Sequence, residues 1–247
     1  FGSSVKRKED PRLITGQGTY VEDVKLTGVL HMVLVRSPYA HAEIRSINSE
    51  ESFKIPGVVA VFTVEDLKDE LGSLPCGWVV PDTKDVPHPP LAVGRVRYVG
   101  DAVVAVIAED LQSASDGAAK VIVEYEEIEH VIGMDDALKD GAVQLHDDAP
   151  GNIAFEWEVA GGDVNNAKSV ADVTVQQRFT NQRLIPTAME NRGVVVDYNS
   201  GTNQITMWTS TQIPHLIRVL LSLVTGHPEH LIRVIAPDVG GAFGSKL

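Results

Sequence analysis

The closing stretch of the chain constrains the fold more than any other. Ile213, Leu216, Ile217, Leu220, Leu221 and Val224 recur at three- and four-residue spacing, which predicts an amphipathic helix. Pro214 suits its first turn, and Gly226 with Pro228 suits its end. The run Leu231 to Ala236 reads as a strand and leads straight into a glycine loop, PDVGGAFGSKL. Glycines behind a strand either form a structural turn or let backbone N–H groups come close to a bound anion or oxygen ligand. The loop is not a phosphate cradle of the Gly-x4-Gly-Lys-Ser/Thr type, because Ser245 separates Gly244 from Lys246 and Leu247 replaces the hydroxyl. The dinucleotide pattern Gly-x-Gly-x-x-Gly also fails, since Gly240 and Gly241 are adjacent. A domain rarely finishes on such a loop, so the expectation is a continuation in the same polypeptide or in another chain.

Upstream, periodicity predicts mixed α and β. Val29 to Val35 is nearly continuous apolar, as in a strand buried on both faces, and Val58 to Thr63 is a second strand. Thr63 and Asp66 form an N-cap signature for a short helix after it. Tyr98 to Ala108 is a third strand. Asp110 can then cap a helix whose stripe is Leu111, Ala114, Ala118 and Val121, overlapping a fourth strand, Val121 to Ile128. Alternating strands and helices favour an α/β domain over roughly residues 20–130. Pro75, Pro81, Pro87, Pro89 and Pro90 interrupt it with a long surface excursion over 71–97. Residues 130–152 read as an acidic linker with one helical turn. Strands are expected near Ile153–Val159 and Val173–Arg178, followed by a hairpin of Val194–Tyr198 and Ile205–Trp208 around Asn199 to Asn203.

Composition narrows the function classes. Lys and Arg number 21 against 34 Asp and Glu, a formal charge of −13. A surface that acidic repels phosphate backbones, and no basic stripe offsets it, so nucleic acid is excluded as a partner. The longest apolar stretch, Ile217 to Val224, carries Arg218 and Ser222 and falls short of the ~20 residues of a membrane span. The N-terminal segment has no signal-peptide core. The one cysteine, Cys76, can neither close an internal disulfide nor ligate an iron–sulfur cluster by itself. A cytoplasmic, reducing setting is the expectation.

Single residues are ambiguous on chemistry alone. Of eight histidines only His227 and His230 are clustered, and Pro228 between them breaks the helical spacing of a zinc pair, so no metal ligand is assigned. Cys76 lacks a partner at motif spacing and reads as an inert, buried or semi-exposed thiol. Glu190 reads as a surface carboxylate paired with Arg192. Gln212, between a strand and a helix start, can cap the helix or donate to a ligand.

Longer stretches carry a resemblance. RKEDPRLITGQGTYVEDV (7–24), LVRSPYAHAEI (34–44), VRYVGDAVVAVIAED (96–110) and VEYEEIEHVI (123–132) resemble the N-terminal domain of molybdenum hydroxylase large subunits. RLIPTAMENRGVVV (183–196), WTSTQIPHLIR (208–218) and VIAPDVGGAFGSK (234–246) resemble the start of their cofactor-binding region. This is the xanthine dehydrogenase/aldehyde oxidase family, in wording closest to the carbon monoxide dehydrogenase-like branch. The resemblance implies an α/β (mixed α+β) fold, with a hammerhead domain over 1–132 and an incomplete molybdopterin-binding domain over 133–247. It implies part of a catalytic subunit that oxidises an aldehyde, an N-heterocycle or CO, with water as the oxygen source. The cofactor implied is molybdopterin in its cytosine dinucleotide form with molybdenum. A small 2Fe-2S subunit, a medium FAD subunit and the remainder of the large subunit are the implied partners.

The resemblance also assigns residues. Gln212 matches the family glutamine that hydrogen-bonds an oxygen ligand of molybdenum. Gly240, Gly241, Ala242, Phe243 and Gly244 match the stretch that lies against the metal centre. Ala242 replaces the commoner glycine, which is tolerable only if it avoids positive φ. Leu247 stands where xanthine-oxidising relatives carry a substrate-binding Glu, which counts against purines. Glu190 matches a glutamate whose implied role is structural. Most pterin contacts, the general-base glutamate and the copper-binding loop of the CO branch fall beyond the family's matching stretch. The chain alone is therefore expected to be inactive, either as a fragment or as a split subunit. The rival reading is a non-catalytic assembly or ligand-binding module derived from that subunit.

Overall fold

The computed structural model describes residues 2–77 and 79–246, so the substitution at Leu247 lies outside the described residues. In chain order the elements are α1 (Asp10–Ile14), β1 (His31–Arg36), β2 (Ala42–Asn48), β3 (Val58–Phe62), α2 (Val64–Leu67), β4 (Arg95–Val96) and β5 (Ala102–Ala108). Then come α3 (Leu111–Lys120), β6 (Ile122–Glu127), α4 (Met134–Ala137), α5 (Val164–Ser169), β7 (Val194–Asn199), β8 (Gln204–Thr209), α6 (Pro214–Thr225) and β9 (Ile232–Ile235). They build three three-stranded sheets, ordered β1-β5-β3, β4-β2-β6 and β7-β8-β9. The fold is a mixture of α and β, as expected, but every pairing in the first two sheets is antiparallel. The connection β5–α3–β6 leaves one sheet and enters another instead of returning beside its own strand.

Strand β5 is the centre of the first unit. Val103, Val104 and Val106 are fully buried, and neighbouring strand residues point to opposite faces, so both faces of β5 are covered. Ala42 and Val96 of the second sheet join the same core, and Tyr39 stacks against Tyr125 with ring centroids 5.2 Å apart. Helix α3 closes one face. Its Asp110 cap accepts from the Ser113 N–H at 2.8 Å. Its approach depends on Gly117, where an added Cβ would come within 2.8 Å of Val58 Cγ2 and 3.1 Å of Val106 Cγ1. The buried stripe therefore runs through Ala114 and Gly117, and Leu111 is exposed, contrary to the expected stripe. Strand β1, expected to be buried on both faces, is an edge strand that leaves His31 and Met32 exposed, because β5 takes the central place.

The proline-rich excursion is irregular as expected until it turns inward. Leu91, Ala92 and Val96 enter the core, and β4 pairs with β2. The linker is more ordered than its composition suggests. The Asn152 carboxamide donates to the carbonyls of Ala137 (3.1 Å) and Val143 (2.9 Å) and accepts from the Leu145 N–H (2.9 Å). No strand forms over 153–159 or 173–178. Val173, Val175 and Phe179 are about four-fifths exposed, and no neighbouring strand among the described residues pairs with them. Alternating apolar residues become a strand only when a partner supplies the hydrogen bonds.

The third sheet positions the site. Strands β7 and β8 form the expected antiparallel hairpin, while β8 and β9 are parallel, with Ile205 opposite Ile232 and Trp208 opposite Ile235. Parallel neighbours need a crossover, and α6 supplies it, ending in Gly226 at φ 67°. The result is that β8 and β9 end on the same side of the sheet. Among the described residues no helix is long and apolar enough to cross a membrane.

Candidate functional site

Two connections leave the ends of these parallel strands, which is where α/β units place their ligands. From β8 come Ser210, Thr211 and Gln212; from β9 comes the loop 237–246. Ser210, Thr211 and Lys246 are each 4% exposed, whereas Gln212 and Phe243 are exposed. Polar groups hold the two connections together. The Gln212 N–H donates to the Lys246 carbonyl at 2.9 Å, and Thr211 Oγ1 donates to the same oxygen at 3.1 Å. Thr211 Oγ1 also accepts from the Ile213 N–H at 3.1 Å, so the helix start is served by Thr211. Gln212 does not cap α6 with its side chain. Its Oε1 accepts from the Gly244 N–H at 2.9 Å. With the carbonyl end committed, the amide orientation is defined, and the amino end is left as a donor.

Glu190 sits beneath the glycine loop. Its Oε2 accepts from Ser210 Oγ (2.5 Å), the Gly240 N–H (2.8 Å) and Lys246 Nζ (3.0 Å). The Glu190 N–H donates to the Gly240 carbonyl at 3.2 Å. Burial pushes this carboxyl up, but the donors from Ser210, Gly240 and Lys246 outweigh it and hold it below the usual carboxylate range. The expected Glu190–Arg192 pair is not formed. Arg192 instead donates to the Ser245 carbonyl through Nε (3.1 Å) and Nη2 (2.7 Å). At the loop entrance Asp238 is gripped by the Arg12 guanidinium and by the Thr19 N–H at 2.8 Å, which lower its carboxyl to about 2.

Between these clamps the loop is strained and open. Gly241 and Gly244 have φ of 102° and 86°, and Phe243, which is no glycine, has φ of 51°. A bulky non-glycine residue there costs on the order of 1 kcal/mol, which the surrounding hydrogen bonds must offset. Ala242 avoids positive φ, so its methyl is tolerated in place of hydrogen. A Cβ on Gly240 would stand 2.6 Å from Glu190 Cβ, and one on Gly241 would stand 3.0 Å from the Phe243 ring. Among the described residues the N–H groups of Gly241, Ala242 and Phe243 meet no acceptor. Gln212 and residues 240–244, singled out from sequence, are thus brought together. The local reading that paired Glu190 with Arg192 fails, and Ser210 and Lys246 were missed, because nothing local in the sequence links positions 190 and 246. Cys76 lies in the excursion and is exposed, and His227 Nε2 donates to the Asn203 carbonyl at 2.9 Å.

Such a site has a small-residue cradle, unspent backbone donors and one oriented amide. It suits an anionic, oxygen-rich group lying against residues 240–244. Residues 15–129 match the family described as aldehyde oxidase and xanthine dehydrogenase, a/b hammerhead domain, and residues 145–247 match the molybdopterin cofactor-binding domain. The chain is 36% identical over 246 residues to the nicotine 6-hydroxylase large subunit of Paenarthrobacter nicotinovorans, covering 100% of this chain and 30% of that protein. It is 37% identical over 255 residues to the carbon monoxide dehydrogenase large chain of Hydrogenophaga pseudoflava, covering 97% and 31%. Among solved structures, quinoline 2-oxidoreductase from Pseudomonas putida 86 superposes with a TM-score of 0.92 at 37% identity, over 99% of this chain and 31% of that one. The chain belongs to the molybdenum hydroxylase large-subunit family. It spans about 30% of the length of these two curated relatives.

Proposed function

We propose that this chain is the part of a molybdenum hydroxylase catalytic subunit that seats one side of a molybdopterin cofactor. The observation that carries the reading is the Gln212 carboxamide, fixed by the Gly244 N–H so that its amino end remains a donor beside the open loop. Gln212, Gly240, Gly241, Ala242, Phe243 and Gly244 would hold the group. When bound, it would supply two-electron oxidation of the substrate with water as the oxygen source. The chain's own contribution is positional. Rigid strands on one side and α6 on the other hold an amide donor where negative charge develops, so little reorganisation is needed during reaction. The strained turn at Phe243 presents an exposed aromatic ring that would cover one side of the seated group.

The reading extends to the complex. The remainder of the large subunit, a small 2Fe-2S subunit and a medium FAD subunit are the proposed partners, in the cytoplasm, with the cofactor in its cytosine dinucleotide form. The names of relatives as a "large subunit", a "large chain" and a "complex subunit gamma" support a multi-subunit enzyme. The substrate is an N-heterocycle, an aldehyde or CO; the names nicotine 6-hydroxylase and quinoline 2-oxidoreductase support the first. We place the boundary between the two units after residue 132.

The test is Gln212→Ala in the assembled complex. Removing one positioned donor lowers turnover on the order of 10²–10³, while molybdenum content stays near that of the unaltered complex. Gln212→Glu sets a carboxylate beside the same group and is at least as harmful. Unchanged turnover in both variants would overturn the reading.

A further inference from the structure

The glycine loop begins and ends on one oxygen atom. Gly240, its first glycine, donates to Glu190 Oε2, and Lys246, at its far end, returns its ammonium to that same atom. The Lys246 side chain is only 2% exposed and Glu190 only 13%. Lys246 Nζ also lies 2.7 Å from Ser210 Oγ, which ties in the β8 connection. Three donors crowd Oε2, while the buried Oε1 has no partner among the described residues. An arrangement of this kind costs more in desolvation than an apolar plug of equal size. Its return is geometric: it sets where 241–243 sit, and those residues carry the unspent N–H groups.

We propose that Lys246 is a positioning residue, whose ammonium closes the glycine loop through Glu190 and so holds the 241–243 N–H groups and the Gln212 amide toward the cofactor. This rests on the cofactor reading above. It differs from plain packing in its dependence on charge. Lys246 is the cation on Glu190. The other charged groups nearby are occupied elsewhere: Arg192, on Glu190's own segment, binds the Ser245 carbonyl, and Asp238 is paired with Arg12 at the loop entrance. Tyr20, from the N-terminal segment, lies against Gly240 and supplies no cation. Without Lys246, partial burial favours the neutral Glu190 acid and raises its pKa. Loop order is then present at low pH and lost as pH rises through that raised value, because an unpaired carboxylate must form beneath the loop. The unaltered protein has its charge compensated and shows no such loss.

The experiment uses the assembled complex, comparing the unaltered protein with Lys246→Met, Lys246→Arg and the double variant Glu190→Gln/Lys246→Met. Two quantities are followed from about pH 5 to about pH 8: hydrogen exchange of the 240–245 amides, corrected for intrinsic rates, and molybdenum retained per complex. In Lys246→Met, loop protection and molybdenum retention each fall ~10-fold across that range. The double variant and Lys246→Arg stay flat with pH, the first because the carboxylate is gone, the second because a cation remains. A loss in Lys246→Met that is equal at every pH and unrelieved by Glu190→Gln would reduce Lys246 to packing and overturn the proposal. So would protection identical to that of the unaltered complex. An unaltered complex that holds no molybdenum would instead overturn the cofactor reading, and the exchange data would still judge the loop.

Discussion

The two halves of the molecule are stabilised by different means. In the first, the interior is a contiguous set of small apolar side chains: Ala42, Ala92, Val96, Val103, Val104 and Val106. Beyond residue 152, the buried apolar residues among those described are Ile232 and Ala242, and the buried polar ones are Ser210, Thr211 and Lys246. Apolar contact is non-directional and tolerates modest adjustment, so it builds a scaffold. Hydrogen bonds specify angle as well as distance, so they build a loop with one shape. Both halves leave apolar side chains in solvent, Val5, Ile14 and Ile132 in the first, and Phe179, Leu184 and Ile185 in the second. The difference lies in the interior: apolar contact in the scaffold, directional bonds at the site.

Substitutions in the two halves should therefore separate activity from stability. The largest effect belongs to Gln212→Ala, which is expected to lower turnover of the complex and leave the melting temperature nearly unchanged. Gly117→Ala should do the reverse. Its Cβ would meet Val58 Cγ2 at 2.8 Å, and overpacking of that kind costs about 1–3 kcal/mol. Denaturant titration of the complex checks the loss, and turnover of the surviving folded fraction should be near normal. If Gly117→Ala lowered turnover without lowering stability, the division between scaffold and site would fail.

Smaller effects sharpen the same contrast. Phe243→Gly removes a side chain from a position at φ 51°, relieving strain while loosening the unfolded chain. These oppose each other, so stability should change by less than ~1 kcal/mol, while turnover falls because the exposed ring is gone. Asp238 offers a pH test. The Arg12 guanidinium, then the Thr19 N–H, hold its carboxyl at about 2, below the unfolded value of ~3.9. A depressed carboxyl contributes stability that is fully present above the unfolded value and is lost as pH falls toward the folded one. Docking of the N-terminal segment onto the loop entrance should thus weaken between about pH 4 and about pH 2. Asp238→Asn should abolish that acid transition, measured by exchange of the Thr19 amide. Its persistence in Asp238→Asn would remove Asp238 from the account.

Much of this was legible in the residues themselves. The stripe of α6 with Pro214 and Gly226, the β7–β8 hairpin, the Asp110 cap and the short strand before the glycine loop all follow from spacing and cap chemistry. The resemblance singled out Gln212 and Gly240 to Gly244, and the fold brings them together. The errors have a common cause. Val29 to Val35 reads as a central strand because it is apolar, but its place at the sheet edge depends on β5 winning the centre. Val173 and Val175 alternate like a strand, but a strand needs a partner.

What the sequence alone determined is everything that rests on neighbours within a few residues: helical periodicity, caps, turns and the glycines that permit positive φ. Tertiary structure decided which separated groups meet. Glu190 was read as a surface carboxylate bound to Arg192, two residues away. The fold places it under Gly240 and Lys246 instead, 50 and 56 positions along the chain. The physical reason lies in α6. By carrying the chain across so that β8 and β9 run parallel, it brings both strand ends to one side of the sheet. Only there do a buried carboxylate, a returning lysine and an oriented amide share one loop.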